Sequence, residues 1–439
     1  MMTRSFLALI VIVIAGCGRK ETSTAPSAPT SPTENTNAVS PPEADPSTSP
    51  ETDSVRFPSA DLSTDVATLI APLKTEQVRD GWINLFDGRS LFGWESNSPE
   101  VNWSVQDGAI TADSGPQGLL LTYVPFADYE LHCEFLMETG GNSGIFLRTE
   151  FAPKEVTADC YELNIVDDHP SGYLTGSFVG RQKTAEAIAG SGGWKTFDVK
   201  CEGNTFSVDL NGQRVLDYTD QTPTARPSGL IGLQKNAGKV QFRNVRLRPL
   251  RTFDIFAGSD LAGWHVVPGS AATFAATNQM IHGKGGQGFL ESDIDFGDFV
   301  LQFDAATMTP TSNGGLFFRT EPGTPEAPSN GYEVQINNAL TDGDRTLPKD
   351  GGTGAIFRRA AARIVAADDN RWTTITLVAA GPRFATWVNG YPVVAFADER
   401  DPDANPRKGL RLEPGRLSLQ VHDPSTEVLF RALRLAPLP

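Results

Sequence analysis

The sequence predicts an all-β chain built as two tandem two-sheet sandwiches of jelly-roll type. Three observations carry that expectation. An ordered set of motifs occurs twice, apolar residues lie in short alternating runs, and turn formers are abundant, with 42 Gly and 31 Pro in 439 residues. Alternation with period two places one face of a strand against a core, and frequent Gly and Pro disfavour a helical bundle. The 37 Lys+Arg against 53 Asp+Glu leave a formal net charge of −16. A surface of that sign repels phosphate backbones and no basic patch offsets it, so nucleic acid is not expected as a partner.

The N-terminus reads as an address followed by a tether. Arg4 precedes an unbroken apolar run from Phe6 to Ala15. That run is too short for a mature membrane span of about 30 Å, and it fits the apolar core of a signal peptide. Ile14-Ala15-Gly16-Cys17 then resembles a bacterial lipobox, in which a lipid is joined to the Cys17 thiol and cleavage makes that residue the new N-terminus. Residues 1–17 are therefore expected to be a lipoprotein signal. The mature protein is expected to be exported and held to the membrane by its lipid, in the periplasm or on the outer-membrane surface. Between residues 21 and 60, 23 of 40 residues are Ser, Thr or Pro. Such a segment cannot bury enough apolar surface to offset its ordering entropy, so 18–60 is expected to be a disordered spacer. Residues 62–73 could form one or two helical turns at the entry to the folded part.

The remainder is one unit written twice, near 80–250 and 251–439. Asn84 to Trp94 (NLFDGRSLFGW) returns as Asp254 to Trp264 (DIFAGSDLAGW), and Asn142 to Glu150 (NSGIFLRTE) as Asn313 to Glu321 (NGGLFFRTE). Tyr161 to Ile165 (YELNI) returns as Tyr332 to Ile336 (YEVQI), and the closing FRNVRL at Phe242 as FRALRL at Phe430. Tyr129 to Phe135 and Phe197 to Cys201 alternate with period two, and Asn211-Gly212 and Asn389-Gly390 each sit between strand-like runs as hairpin signals. Cys133 and Cys201 correspond to Phe303 and Ala379 in the second unit. A large residue facing a small one fills the room of two medium ones, so the two cysteines are expected to be core neighbours. In an exported protein that leaves a disulfide or two buried thiols.

Together these motifs resemble the 3-keto-disaccharide hydrolase family, also described as 3-keto-glucoside 1,2-lyases with 3-keto-2-hydroxyglucal hydratase activity. The resemblance covers nearly all of 80–250 and, more weakly, 251–439. It implies a concanavalin A-like fold and a carbohydrate substrate. A ketone at C3 acidifies the C2–H, so one base can remove that proton, an enolate forms, and the group at C1 is expelled.

Residues i and i+2 of a strand share a face, so Glu162 and Asn164 should point together, as should Phe146 and Arg148. Arg148, Glu162, Asn164 and Gln234 are polar side chains inside apolar strands. They recur as Arg319, Glu333, Gln335 and Gln420. Such residues are costly unless paired or solvated in a cleft. Two readings stand: an Arg148–Glu162 ion pair tying two strands, or a ligand-facing group. In the catalytic reading Glu162 or His169 is the base, and Arg148 or a bound divalent metal is the electrophile; Asp167 and Asp168 would be metal ligands, or the Asp167-Asp168-His169 loop is a solvated turn. Asn164, Gln234, Arg319, Glu333 and Gln335 would contact substrate. The second carboxylate of an ordinary glucanase is missing at Asn164 and at Gln335, which disfavours two-carboxylate hydrolysis. The second unit lacks the His169 counterpart and either binds sugar without turnover or takes another substrate. The alternative for the whole chain is a non-catalytic, tandem lectin-like glycan binder.

Overall fold

A computed structural model describes residues 58–59, 61–70, 73–405 and 407–439. The signal-like segment, Cys17 and nearly all of the 18–60 spacer lie outside the described residues.

The alternating strands assemble as the pattern requires. Along Tyr129–Met137 every second side chain is buried, placing Tyr129, Leu131, Cys133, Phe135 and Met137 in the core. Each such large apolar side chain contributes roughly 1.5–3 kcal/mol by leaving water. This strand lies in an eight-stranded sheet, between Lys195–Glu202 and Val240–Pro249. Against it packs a five-stranded sheet in the order Trp94–Ser96, Gly118–Thr122, Leu230–Lys235, Asn142–Thr149, Tyr161–Val166. The second unit repeats the plan, with an eight-stranded sheet and a five-stranded sheet ordered Trp264–Val266, Gly288–Ser292, Arg416–Val421, Gly314–Thr320, Tyr332–Ile336. The protein is all-β, two sandwiches of paired antiparallel sheets.

Both Asn-Gly pairs make the hairpins expected of them. Asn211 and Gly212 have φ of 52° and 79°, and Asn389 and Gly390 have 50° and 75°. Two successive left-handed residues match the twist of the flanking strands. Ser63 caps a short helix, Thr64–Leu69, through the Val66 amide. Val66 and Ile70 are buried in the core of the second sandwich. The two sandwiches are joined by packed side chains. Trp387 lies in the first core cluster and donates its indole N–H to Asn84 O at 2.8 Å.

The cysteine expectation is corrected by strand register. Cys133 stands opposite Phe197, and Cys201 opposite Tyr129. The two thiols are thus four residues apart along the ladder, about 13 Å at the rise of a strand, and beyond disulfide reach. Cys133, Cys160 and Cys201 are free and buried. Phe303 and Ala379 likewise face Ile375 and Phe299 rather than each other.

Candidate functional site

On the Tyr161–Val166 strand, Tyr161, Leu163 and Ile165 fill the sandwich core. Period two then sends Glu162 and Asn164 to the opposite face. There they line a cavity of about 600 Å³, together with Asn142, Phe146, Gln234 and His169. Gly144 sits directly opposite Asn164. A Cβ on Gly144 would come within 3.4 Å of both Glu162 Cγ and Gln234 Oε1. The small residue in the NSG motif therefore leaves room for the carboxylate to lie across its neighbour strand.

Glu162 is 8% exposed. It makes no ion pair among the described residues, and Gln234 Nε2 donates to its Oε1 at 3.3 Å. Burial outweighs that hydrogen bond and pushes the carboxyl up to about 7. Asn142 Oδ1 and Gln234 Oε1 are buried and without partners among the described residues. Orphaned buried acceptors at a cavity wall fit the hydroxyl donors of a sugar. Asn164 is committed differently: its Nδ2 donates to Tyr173 O at 2.5 Å. His169 is exposed at the rim and bonds Ser171 Oγ at 2.7 Å.

The second sandwich builds the equivalent place on Tyr332–Ile336. Glu333, Gln335 and Gln420 line a smaller cavity of about 260 Å³. Burial pushes Glu333 up to about 8 against the pull of Arg407 and Arg358. With its nitrogen turned toward the carboxylate, the Gln335 amide lies 3.0 Å from Glu333 Oε1. A Cβ on Gly315 would approach that same oxygen to 2.6 Å.

Arg148 is not in the site. Its φ of 48° makes a bulge, and the register against Leu230–Lys235 slips there. The slip breaks the alternation that would have set it beside Phe146. The guanidinium turns inward instead, 5.2 Å over the Phe206 ring. It bonds Ala127 O, Gly203 O, Arg226 O and Asp128 Oδ1. Neither the Arg148–Glu162 ion pair nor an electrophilic role for Arg148 survives. Arg319 repeats the arrangement, with φ of 53° and bonds to Gly381 O, Arg411 O and Asp298. It is a latch of the fold rather than a sugar contact.

The geometry gives the metal-ligand expectation no support among the described residues. Both oxygens of Asp167 are taken by Ser191, at 2.8 Å from its amide and 2.5 Å from its hydroxyl. Asp168 is exposed and does not line the cavity. Among the described residues no group of three or more His, Cys, Asp or Glu side chains is placed to share a metal ion.

Several cavity residues were not singled out from the sequence. Asn142 was legible, since it shares period two with Gly144 and Phe146. Lys154, an exposed cation at the first cavity, and Arg358 and Arg407 at the second come from loops that no periodicity marks. His422, assigned no role from sequence, lines the second cavity.

The sequence profile of the 3-keto-alpha-glucoside-1,2-lyase-like domain matches this chain twice, over residues 81–248 and 252–436. The chain belongs to that family. A 3-keto-disaccharide hydrolase of Bacteroides thetaiotaomicron is 26% identical over 230 residues, covering 39% of this chain and 79% of that protein. A solved structure of a putative glycosyl hydrolase from Parabacteroides distasonis is 26% identical, covering 38% of this chain and 99% of that one, with a TM-score of 0.34. A carbohydrate binding module from Bacillus subtilis is 15% identical, covering 36% and 94%, with a TM-score of 0.28. Both glutamate-bearing cavities fall inside the segments that match the lyase-like domain.

Proposed function

We propose that the first sandwich cleaves 3-keto-glycosides by elimination followed by hydration, with Glu162 as the proton-transfer group. The supporting observation is a buried carboxylate with one hydrogen bond, raised to about 7, on the wall of a cavity edged by unpaired amide oxygens. A group whose pKa lies near the working pH both accepts and returns a proton efficiently.

Glu162 takes the proton from C2, and the C–H electrons form an enolate with its charge on the C3 oxygen. Collapse of the enolate restores the ketone, forms the C1–C2 double bond and expels the C1 group as an alkoxide, which takes a proton on leaving. Water then adds its oxygen to C1 as it gives a proton to His169, replacing the one the leaving group took, and the protonated Glu162 returns a proton to C2. The net reaction is hydrolysis. The carboxamide N–H groups of the cavity wall and Lys154 stabilise the enolate oxygen, and His169 at the rim supplies the leaving-group proton. The protein would work from a lipid anchor on Cys17, within the periplasm or at the outer-membrane surface.

Release of the C1 group from a 3-keto-glucoside, by the wild type and by Glu162→Gln, tests the assignment. A fall of about a hundredfold or more is expected from loss of a general base. Equal rates would remove Glu162 from the mechanism.

A further inference from the structure

The two cavities differ in charge, and the difference points to a different ligand for the second. The first has one lysine or arginine in its lining, Lys154. The second, less than half its volume, is lined by Arg358, Arg359 and Arg407. In a chain of net charge −16 that is a local reversal of sign. None of the three arginines makes an ion pair among the described residues, where most arginines of this protein are held by acids. Arg407 is anchored at its Nε by Ser329 O at 2.8 Å, which fixes its plane. Arg358 lies 5.2 Å from the Phe357 ring and is exposed at the mouth.

The acid already present does not neutralise this lining. Burial holds the Glu333 carboxyl protonated at neutral pH, with its value pushed up to about 8. The cavity also has groups for the rest of a sugar. Gln420 Oε1 is buried without a partner among the described residues, and Phe317, Phe357 and Tyr332 supply apolar and aromatic surface.

We propose that the second cavity binds a carboxylate-bearing sugar, a hexuronate unit at the end of a glycan, held through its carboxylate by Arg358 and Arg407. The planar guanidinium matches a planar carboxylate through paired N–H donors, which a lysine cannot do. The inference goes beyond the turnover assigned to the first cavity and does not depend on it.

Titration calorimetry of the full chain decides it, using a glucuronate-terminated disaccharide and its glucose-terminated counterpart. The uronate should bind more tightly, more weakly as salt rises, and about tenfold or more weaker in Arg358→Gln, as for loss of a charged hydrogen bond. Arg407→Gln should give a loss of the same order. Glu162→Gln should bind the uronate as the wild type does, which separates this test from that of catalysis in the first cavity. Binding of the neutral disaccharide as tight as the uronate, or uronate affinity untouched by both arginine variants, would overturn the proposal. Equal affinity for a glucose 6-sulfate unit would overturn the carboxylate assignment.

Discussion

Gln234 donates to Glu162 Oε1 over 3.3 Å, and among the described residues this is the one hydrogen bond the carboxylate accepts. Burial raises Glu162 while this bond lowers it, so the amide sets where the residue titrates. For a base, activity is present when the carboxyl is ionised. The acid limb of the pH profile of kcat/KM on a 3-keto-glucoside should therefore rise through about 7. Gln234→Leu should move that limb to higher pH. An acid limb near the ordinary carboxylate value, or one unmoved in the variant, would show that another group is titrating.

That Glu162 was legible and Arg148 was misplaced has one physical origin. Tyr161–Val166 keeps strict alternation, so apolar Tyr161, Leu163 and Ile165 identify the core face and Glu162 with Asn164 must take the other. Asn142–Thr149 alternates only as far as the left-handed residue at Arg148. A bulge exchanges the two faces, and nothing in the run NSGIFLRTE marks where it falls. The Arg358 and Arg407 loops are invisible for another reason: their place over the cavity depends on chain closure between strands distant in sequence. The cysteine pairing failed on register, which composition does not encode.

Arg148 should matter for folding rather than for chemistry. Its side chain is fully buried and satisfies three carbonyls and Asp128. Without the guanidinium, the Ala127, Gly203 and Arg226 carbonyls lose their donor while Asp128 keeps Arg251, at about 1–3 kcal/mol for each buried polar group left unsatisfied. Arg148→Met should lower the denaturation midpoint accordingly, and Arg148→Lys should recover little, since an ammonium cannot span the four acceptors. At a temperature where the variants stay folded, KM for the 3-keto-glucoside should match the wild type. A stable Arg148→Met protein with a raised KM would return Arg148 to the site.

Chelation separates a protein-based electrophile from a metal. Each oxygen of the Asp167 carboxylate accepts from Ser191, and no group of three or more metal-ligating side chains forms among the described residues. Turnover should survive prolonged treatment with EDTA and be unchanged on adding back divalent ions. Loss of activity that a single divalent ion restores would reassign the electrophile to that ion.

The raised carboxylates also predict a stability cost that one substitution removes. The Glu162 carboxyl has its ordinary value of 4.5 in the unfolded chain and about 7 in the folded one. Between those values the unfolded state has released its proton and the folded state has not, so stability falls as pH rises through that window. Above about 7 the loss is complete, at most about 3 kcal/mol from the size of the shift. Glu162→Gln lacks this titration and keeps the amide partner of Gln234. Its unfolding free energy should equal that of the wild type near pH 4.5 and exceed it progressively up to pH 8, while its turnover is lost. Glu333→Gln should behave alike over a window extending to about 8. Denaturant melts at pH 4.5, 6 and 8 measure this directly. Parallel wild-type and Glu162→Gln curves across that range would mean that the Glu162 carboxyl is as well solvated folded as unfolded, and its readiness as a proton carrier at neutral pH would have no physical basis.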